Sequence, residues 1–146
     1  MARRSTSTPE VAAAEFHWPA RVYWEDTDGG GVVYHANYLK FLERARTEWL
    51  RHKGFEQSLL VQSQQLVFVV YSMQLEFLKP ARLDDALSVS VRLLHCRRAS
   101  FAVAQLIHDT RSGDAICRAQ VEIACLHAQS FRPIPIPPEL LTEIQR

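Results

Sequence analysis

One segment of this sequence has the pattern of a long helix, and the segments after it have the pattern of strands. Within residues 36–53, apolar side chains recur at i, i+4, i+7 and i+11, which places them on one face of a helix. Gly54 follows, a residue type that often ends a helix. A lone helix can bury such a face only against a sheet, so the pattern predicts an α+β domain. The apolar face consists of Tyr38, Leu42, Ala45 and Trp49.

The rest of the ordered chain is predicted to form a sheet of about five strands. A short first strand is expected at residues 21–25, and four longer ones follow the helix with apolar residues at every second position. Gln105 interrupts this alternation. The links between the later strands have hairpin length, as at residues 110–114, so we expect antiparallel pairing. The four later strands are expected at residues 66–78, 87–93, 101–107 and 117–125.

The composition changes at both ends of the chain. Residues 1–18 are largely small, polar and without periodicity, so we expect a flexible N-terminal arm. The C-terminal residues 133–146 begin with alternating prolines, which cannot pair inside a sheet. We expect them to form a Pro-rich segment that ends in a short helical turn. A single domain, residues 19–132, is predicted between the two.

Charge and cysteine content narrow the class of protein. Lys and Arg total 17 against 16 Asp and Glu, a net charge of +1 that predicts no nucleic-acid partner. The longest apolar run, residues 66–71, is too short to span a bilayer. Three widely spaced cysteines fit neither a disulfide framework nor a zinc site, which is typical of a reducing compartment. We therefore expect a cytoplasmic protein without a metal or cofactor.

Residues 24–38 combine carboxylates, a glycine-rich turn and the start of the predicted helix. The N–H groups at a helix start have no intrahelical acceptor and can polarise a carbonyl oxygen. A carboxylate held just before them, such as Asp28, can attack a carbonyl carbon or deprotonate water. In the alternative interpretation, Asp26 and Asp28 only cap the turn and the helix. Spacing alone favours this structural interpretation, because Asp and Gly are common in turns.

The same motif resembles that of a known enzyme family. Asp-Thr-Asp-Gly-Gly-Gly-Val-Val-Tyr-His-Ala-Asn-Tyr, at residues 26–38, is similar to the motif of hot-dog-fold thioesterases of the 4-hydroxybenzoyl-CoA thioesterase type. It resembles the Tol–Pal-associated acyl-CoA thioesterase branch more closely still. The resemblance covers residues 21–133, with its motifs in the same order. Further matching segments are residues 41–48, 68–70, 76–77, 80–85 and 97–98.

This resemblance implies a fold, an assembly and a reaction. In the hot-dog fold, a curved antiparallel sheet wraps around one long helix. Two such units pair through their sheets into a dimer, two dimers often form a homotetramer, and the active site lies between subunits. The implied reaction is hydrolysis of an acyl-CoA thioester to a free acid and coenzyme A, without a cofactor.

Two residues near the predicted helix start are implied as catalytic by the resemblance. Asp28 takes the position of the catalytic carboxylate, acting either as a nucleophile or as a general base for water. The backbone N–H of His35 takes the position that polarises the thioester carbonyl, and the imidazole matches a histidine used near the thioester. The sequence departs from the family at Gly29, where close relatives usually have alanine, and at Trp24, where they often have tyrosine.

Arg97 and Arg98 match a basic segment that contacts the phosphates of coenzyme A in the family. Arginine suits this role because its guanidinium donates bidentately to phosphate. In the alternative interpretation, the two arginines only form the solvated end of a hairpin.

Two other functions stay open from the sequence. One is a scaffold that recruits acyl-carrier protein or lipid-synthesis enzymes near the inner membrane, and the intact Asp28 argues against it. The other is a hot-dog dehydratase acting on hydroxyacyl thioesters. The sequence lacks the paired His and Asp/Glu arrangement of that branch, which argues against a dehydratase.

Overall fold

The structure, a computed structural model, describes residues 15–146. Residues 1–14, most of the predicted flexible arm, lie outside the described residues. Two 3-10 turns, Trp24–Asp26 and His35–Asn37, precede the long helix. The elements in chain order are β1 (Phe16–Arg21), α1 (Tyr38–His52), α2 (Gln57–Gln64), β2 (Leu66–Phe77), β3 (Ala86–Cys96), β4 (Ser100–Asp109), β5 (Ala115–His127) and α3 (Pro138–Ile144).

The five strands form one antiparallel sheet in the order β1-β3-β4-β5-β2. Strands β3, β4 and β5 are joined by short links, as predicted, whereas β1 and β2 lie at the edges. The register of β2 against β5 shifts between Val70 and Ser72, so Tyr71 forms a bulge in the edge strand. The prediction of an α+β domain with an antiparallel sheet of about five strands is confirmed.

Helix α1 packs its apolar face against the sheet. Tyr38, Leu42, Ala45 and Trp49 are each at most 4% exposed, so the predicted apolar face is confirmed. Burying each large apolar side chain stabilises the fold by roughly 1.5–3 kcal/mol. The buried residues of the central strands include Leu87, Val89, Val91, Phe101, Val103, Ile107, Cys117, Ala119, Val121, Ile123 and Cys125.

The first strand lies earlier in the chain than the sequence pattern places it. β1 covers Phe16–Arg21 and pairs with β3, whereas residues 21–25 were expected to form the strand. The end of that expected stretch belongs instead to a 3-10 helix, Trp24–Asp26. Pro19 is tolerated in β1 because the strand lies at the sheet edge. The start of β1 therefore belongs to the sheet and not to the predicted arm.

Both α2 and the C-terminal segment contribute more buried side chains and secondary structure than the sequence indicates. No helix is predicted at α2, since Leu60 is its one buried residue and the apolar pattern is weak. The short helical turn expected near the C-terminus is α3, and Leu140 and Ile144 are fully buried in it. The Ile136 N–H also donates to the Arg98 carbonyl at 2.9 Å. Residues 133–146 are thus anchored to the core by three buried side chains, those of Ile136, Leu140 and Ile144.

Candidate active site

The two aspartates of the glycine-rich motif have different surroundings. Asp26 is 4% exposed, and its carboxylate accepts hydrogen bonds from Asn37 Nδ2 at 2.7 Å and from the Tyr23 N–H at 2.8 Å. Asp28 is exposed. The structural interpretation of the motif therefore applies to Asp26, whereas the Asp28 carboxylate can reach a substrate.

Asp28 lies in a short loop, residues 27–33, which we call the Asp28 loop. The Asp28 N–H donates to the Val32 carbonyl at 2.8 Å and closes the turn. Gly31 has a φ of 82°, a conformation that favours glycine. The Gly30 N–H donates to Asp28 Oδ1 at 2.7 Å. The loop therefore orients the carboxylate through the backbone and leaves it accessible.

The glycines beside Asp28 are under different steric constraints. A Cβ atom added at Gly30 would lie 3.2 Å from Asp28 Oδ1, closer than an ordinary van der Waals contact. A Cβ atom added at Gly29 would have no heavy atom within 4 Å among the described residues. An alanine at position 29 would therefore fit here, whereas an alanine at position 30 would require the Asp28 carboxylate to shift by a few tenths of an ångström.

The helix start after the Asp28 loop presents a free backbone donor. The 3-10 turn His35–Asn37 continues directly into α1. Its third residue, Asn37, donates its N–H to the Tyr34 carbonyl at 2.8 Å. The N–H of His35, at the first position, has no acceptor among residues 15–146. A free N–H at the positive end of a helix can bind a carbonyl oxygen or an oxyanion.

The His35 imidazole is held by aromatic neighbours beside a shallow cleft. Its ring centroid lies 4.6 Å from that of Tyr34 and 6.4 Å from that of Phe77, which it meets edge-on. Phe77 is 55% exposed, so this aromatic group is open to a ligand or a partner chain. The cleft has a volume of about 260 Å³ and is lined by Val33, His35, Tyr38, Phe77, Leu78, Lys79 and Pro80.

Tyr38 links the helix start to the segment between β2 and β3. Its buried hydroxyl oxygen accepts the Ala81 N–H at 3.1 Å, and the Ala81 carbonyl accepts the Val33 N–H at 2.9 Å. Burial raises the pKa of the Tyr38 phenol, and the nearby Asp28 charge adds to this effect. The phenol is therefore neutral near pH 7. The sequence pattern predicts the burial of Tyr38 but gives no signal for this hydrogen bond.

Arg97 and Arg98 lie far from Asp28 within one chain. They occupy the turn between β3 and β4, where the Arg97 N–H donates to the Ser100 carbonyl at 2.7 Å. The Asp28 loop contacts the segment that leads into the opposite end of β3, through an isolated bridge between Val32 and Arg82. A strand the length of β3 spans roughly 35 Å. One chain therefore places the two arginines and the carboxylate at opposite ends of the sheet.

The described residues offer neither a metal-ligand cluster nor a reactive thiol. Within residues 15–146, no three His, Cys, Asp or Glu side chains could hold a metal ion together. No helix in that part of the chain is long and apolar enough to cross a membrane. The thiols of Cys117 and Cys125 are buried, which raises the pKa of each to about 11. Both are therefore protonated near neutral pH and are poor nucleophiles.

The chain matches known thioesterases over most of its length. Residues 22–144 match the family described as the thioesterase-like superfamily. The acyl-CoA thioester hydrolase YbgC of Escherichia coli O6:H1 is 40% identical over 131 residues, which cover 90% of this chain and 96% of that protein. The acyl-CoA thioesterase YbgC of Haemophilus influenzae is 42% identical over 125 residues, covering 86% and 90%.

A solved structure gives the same result for the fold. A mutant 4-hydroxybenzoyl-CoA thioesterase complexed with 4-hydroxybenzoyl-CoA superposes with a TM-score of 0.83, covering 89% of this chain and 98% of that one at 21% identity. The curved antiparallel sheet around one long helix is thus the hot-dog fold. The chain belongs to the thioesterase-like superfamily, which confirms the family predicted from residues 26–38. Membership of the Tol–Pal-associated branch stays a prediction.

Proposed function

We propose that this chain is an acyl-CoA thioesterase, a thioester hydrolase that releases a free acid and coenzyme A. The observation that carries the proposal is the exposed, backbone-oriented carboxylate of Asp28, in a loop that leads into the helix start at His35. Relatives named as acyl-CoA thioester hydrolases match over nearly their whole length, which supports the same reaction here.

Asp28 is the proposed reacting group, and two routes are compatible with its position. As a nucleophile, its carboxylate oxygen attacks the thioester carbonyl carbon, the C–S bond breaks, and coenzyme A leaves as a thiolate that takes a proton from solvent. Water then hydrolyses the mixed anhydride. As a general base, Asp28 accepts a proton from water while that water attacks the carbonyl carbon; the C–S bond then breaks, and coenzyme A leaves as a thiolate that takes up a proton. Both routes need the ionised carboxylate.

The proposed partner of Asp28 is the backbone N–H of His35. Negative charge develops on the thioester oxygen during attack, and a free N–H at a helix start stabilises that charge. Asn37 and Asp26 fix the geometry, because their 2.7 Å hydrogen bond joins the helix start to the chain before the loop. The His35 imidazole, packed between Tyr34 and Phe77, is proposed to border the thioester.

A complete site is proposed to need two chains. Arg97 and Arg98 are the proposed contacts for the phosphates of coenzyme A, yet one chain holds them at the opposite end of β3 from Asp28. Among the described residues, the 12-residue strand β2 pairs only with β5, so its other edge is free. A free edge favours pairing with a second copy. We propose a dimer through β2, and a tetramer by association of two dimers.

The test of this function is the Asp28→Asn variant of the full chain, assayed by free thiol release from short, long and aromatic acyl-CoAs. The amide keeps the size of the side chain but has no ionised oxygen, so kcat should fall by about 10²–10⁴. Asp109→Asn is the matched control, because the Asp109 carboxylate accepts from the Arg111 and Ser112 N–H groups of the turn after β4 and does not line the cleft at His35. Near-normal turnover by Asp28→Asn would exclude the proposed mechanism.

The remaining parts of the proposal concern the protein's setting. A cytoplasmic location and membership of the Tol–Pal-associated branch are proposed from the sequence. Acyl-carrier protein is proposed as a further partner, because it carries acyl groups as thioesters. The scaffold alternative gains no support from relatives named as hydrolases. It would return if the chain co-purified with lipid-synthesis enzymes and showed no turnover on any acyl-CoA.

A further inference from the structure

A second cavity lies between α1 and the sheet, about two helical turns beyond the helix start. Its volume is about 170 Å³. Aromatic side chains form much of its wall: the ring centroids of Trp49 and Phe101 are 6.0 Å apart, and those of Phe68 and Phe101 are 5.5 Å apart. An apolar cavity of about 150 Å³ holds a benzene molecule. This cavity therefore has room for one aromatic ring or a short alkyl chain.

One wall of the cavity carries a buried positive charge, Arg46. Its side chain is 9% exposed, and its guanidinium donates to Gln105 Oε1 at 3.0 Å. Gln105 in turn donates to the Leu42 carbonyl at 3.1 Å. A guanidinium has five N–H donors, and no carboxylate lies within 4 Å of this one among residues 15–146. A buried cation with a neutral partner favours binding of an anion.

The polar rim of the cavity contains one carboxylate, that of Glu43. Gln57 Nε2 donates to Thr47 Oγ1 at 3.1 Å, and Thr47 Oγ1 donates to Glu43 Oε1 at 2.8 Å. Glu43 is exposed, so its charge is screened by solvent. The Glu43 charge acts on Arg46 and therefore opposes an incoming anion, and solvent screening keeps this opposition weak.

We propose that this cavity binds a carboxylate carried on a small apolar body, with Arg46 as its cationic partner and the aromatic wall around the body. Two sources present this chemistry. One is a free acid, which thioester hydrolysis releases. The other is the terminal carboxylate of an acyl group on coenzyme A. The assignment of the carboxylate to a product or substrate of the enzyme rests on the proposed function. The binding of a carboxylate in the cavity does not, because it can be measured without turnover.

The first experiment measures binding to the wild-type chain by isothermal titration calorimetry. The ligands are benzoate and hexanoate, each compared with its neutral amide of the same shape. Because a hydrogen bond to a charged group is stronger than one between neutral groups, each carboxylate should bind roughly 10- to 100-fold more tightly than its amide. Equal affinity for acid and amide, or no heat of binding from either acid, would overturn the proposal.

Variants on α1 then test whether the charge of Arg46 is responsible. Arg46→Met should abolish the preference for acid over amide, and Arg46→Lys should keep part of it because the charge remains. Arg44→Met is the matched control, since Arg44 is an exposed arginine of the same helix that does not line the cavity. Glu43→Gln should tighten carboxylate binding about two- to fivefold by removing the opposing charge.

The opposite signs expected for positions 43 and 46 keep the test decisive if Arg46→Met does not fold. In that case Arg46→Lys and Glu43→Gln provide the test. Unchanged affinity for the acids in both variants would overturn the proposal. Turnover separates the two sources. A higher kcat/KM for adipoyl-CoA than for hexanoyl-CoA, which has the same chain length, assigns the cavity to acyl groups with a terminal carboxylate. Equal values together with tight hexanoate binding assign it to the free acid.

Discussion

The Asp26 carboxylate accepts a hydrogen bond from Asn37 Nδ2 at 2.7 Å, and both side chains are buried. Asp26 precedes the Asp28 loop and Asn37 follows it in the first turn of the helix. The bond therefore closes the base of the loop. Because of it, a glycine-rich segment can keep the Asp28 carboxylate at a fixed position relative to the His35 N–H.

The first prediction follows from this bond: Asp26→Asn should destabilise the fold. Asp26 accepts from both Asn37 and the Tyr23 N–H, whereas an amide has only one acceptor oxygen. One buried donor loses its partner, which costs about 1–3 kcal/mol. Urea unfolding followed by circular dichroism measures the loss, and kcat should fall less than in Asp28→Asn. An unchanged unfolding free energy would show that the bond does not hold the loop.

The second prediction uses the two neighbouring glycines as a matched pair. In Gly30→Ala, the new methyl group lies 3.2 Å from Asp28 Oδ1, so the carboxylate must move by a few tenths of an ångström. Misplacement of a reacting group lowers the rate steeply, and we expect kcat to fall by about 3- to 30-fold. Gly29→Ala should leave kcat unchanged, since nothing lies within 4 Å of the added atom. Equal effects of both variants would contradict the proposed role of Asp28.

Periodicity in the sequence predicts a helix or strand whose buried side chains repeat regularly along that one element. The apolar face of α1 is visible in the sequence because its residues recur at helical spacing and all pack on one sheet. Strands β3 to β5 are visible because one of their faces packs on that helix. β1 is displaced from its predicted position because it is an edge strand with mostly exposed residues, so its apolar alternation is weak.

Interactions between distant segments are not accessible from the sequence pattern. Arg46 lies off the predicted apolar face, and Gln105 interrupts the alternation of its strand. Each is unexplained alone, yet the two side chains meet in the core across 59 residues of sequence. Asp26 and Asp28 likewise look equivalent in the motif. Their surroundings differ only in the folded chain, where Asn37 and the Tyr23 N–H donate hydrogen bonds to Asp26.

The third prediction concerns the buried thiols. Burial raises the pKa of Cys117 and of Cys125 from 9.0 to about 11 in the folded chain. Unfolded thiols ionise first, so this contribution to stability is complete below about pH 9 and is lost as pH rises towards 11. At pH 8, Ellman's reagent should react with these two thiols only after urea unfolding. Rapid reaction of both in the native protein would contradict their burial.

The fourth prediction concerns Arg97 and Arg98, which we propose contact the phosphates of coenzyme A. Replacing both with alanine removes binding that is similar in the ground and transition states, so KM should rise while kcat changes little. Each lost contact is worth up to about 1.5–3 kcal/mol, and less where solvent screens it. An acyl-pantetheine, which has no nucleotide, should be unaffected by the double substitution. An equal loss for both substrates would show that the arginines are structural.

Mixing two impaired chains tests whether these arginines and Asp28 belong to one shared site. One chain carries Asp28→Asn, the other carries Arg97→Ala and Arg98→Ala, and the assay uses acyl-CoA below the wild-type KM. Because β3 separates the groups within a chain, we propose that a complete site takes Asp28 from one subunit and the arginines from its partner. Random exchange into dimers gives half mixed dimers with one complete site each, so about a quarter of wild-type activity should return. Activity no higher than the sum of the two variants, with mixed dimers verified by mass spectrometry, would place the arginines outside the site that contains Asp28.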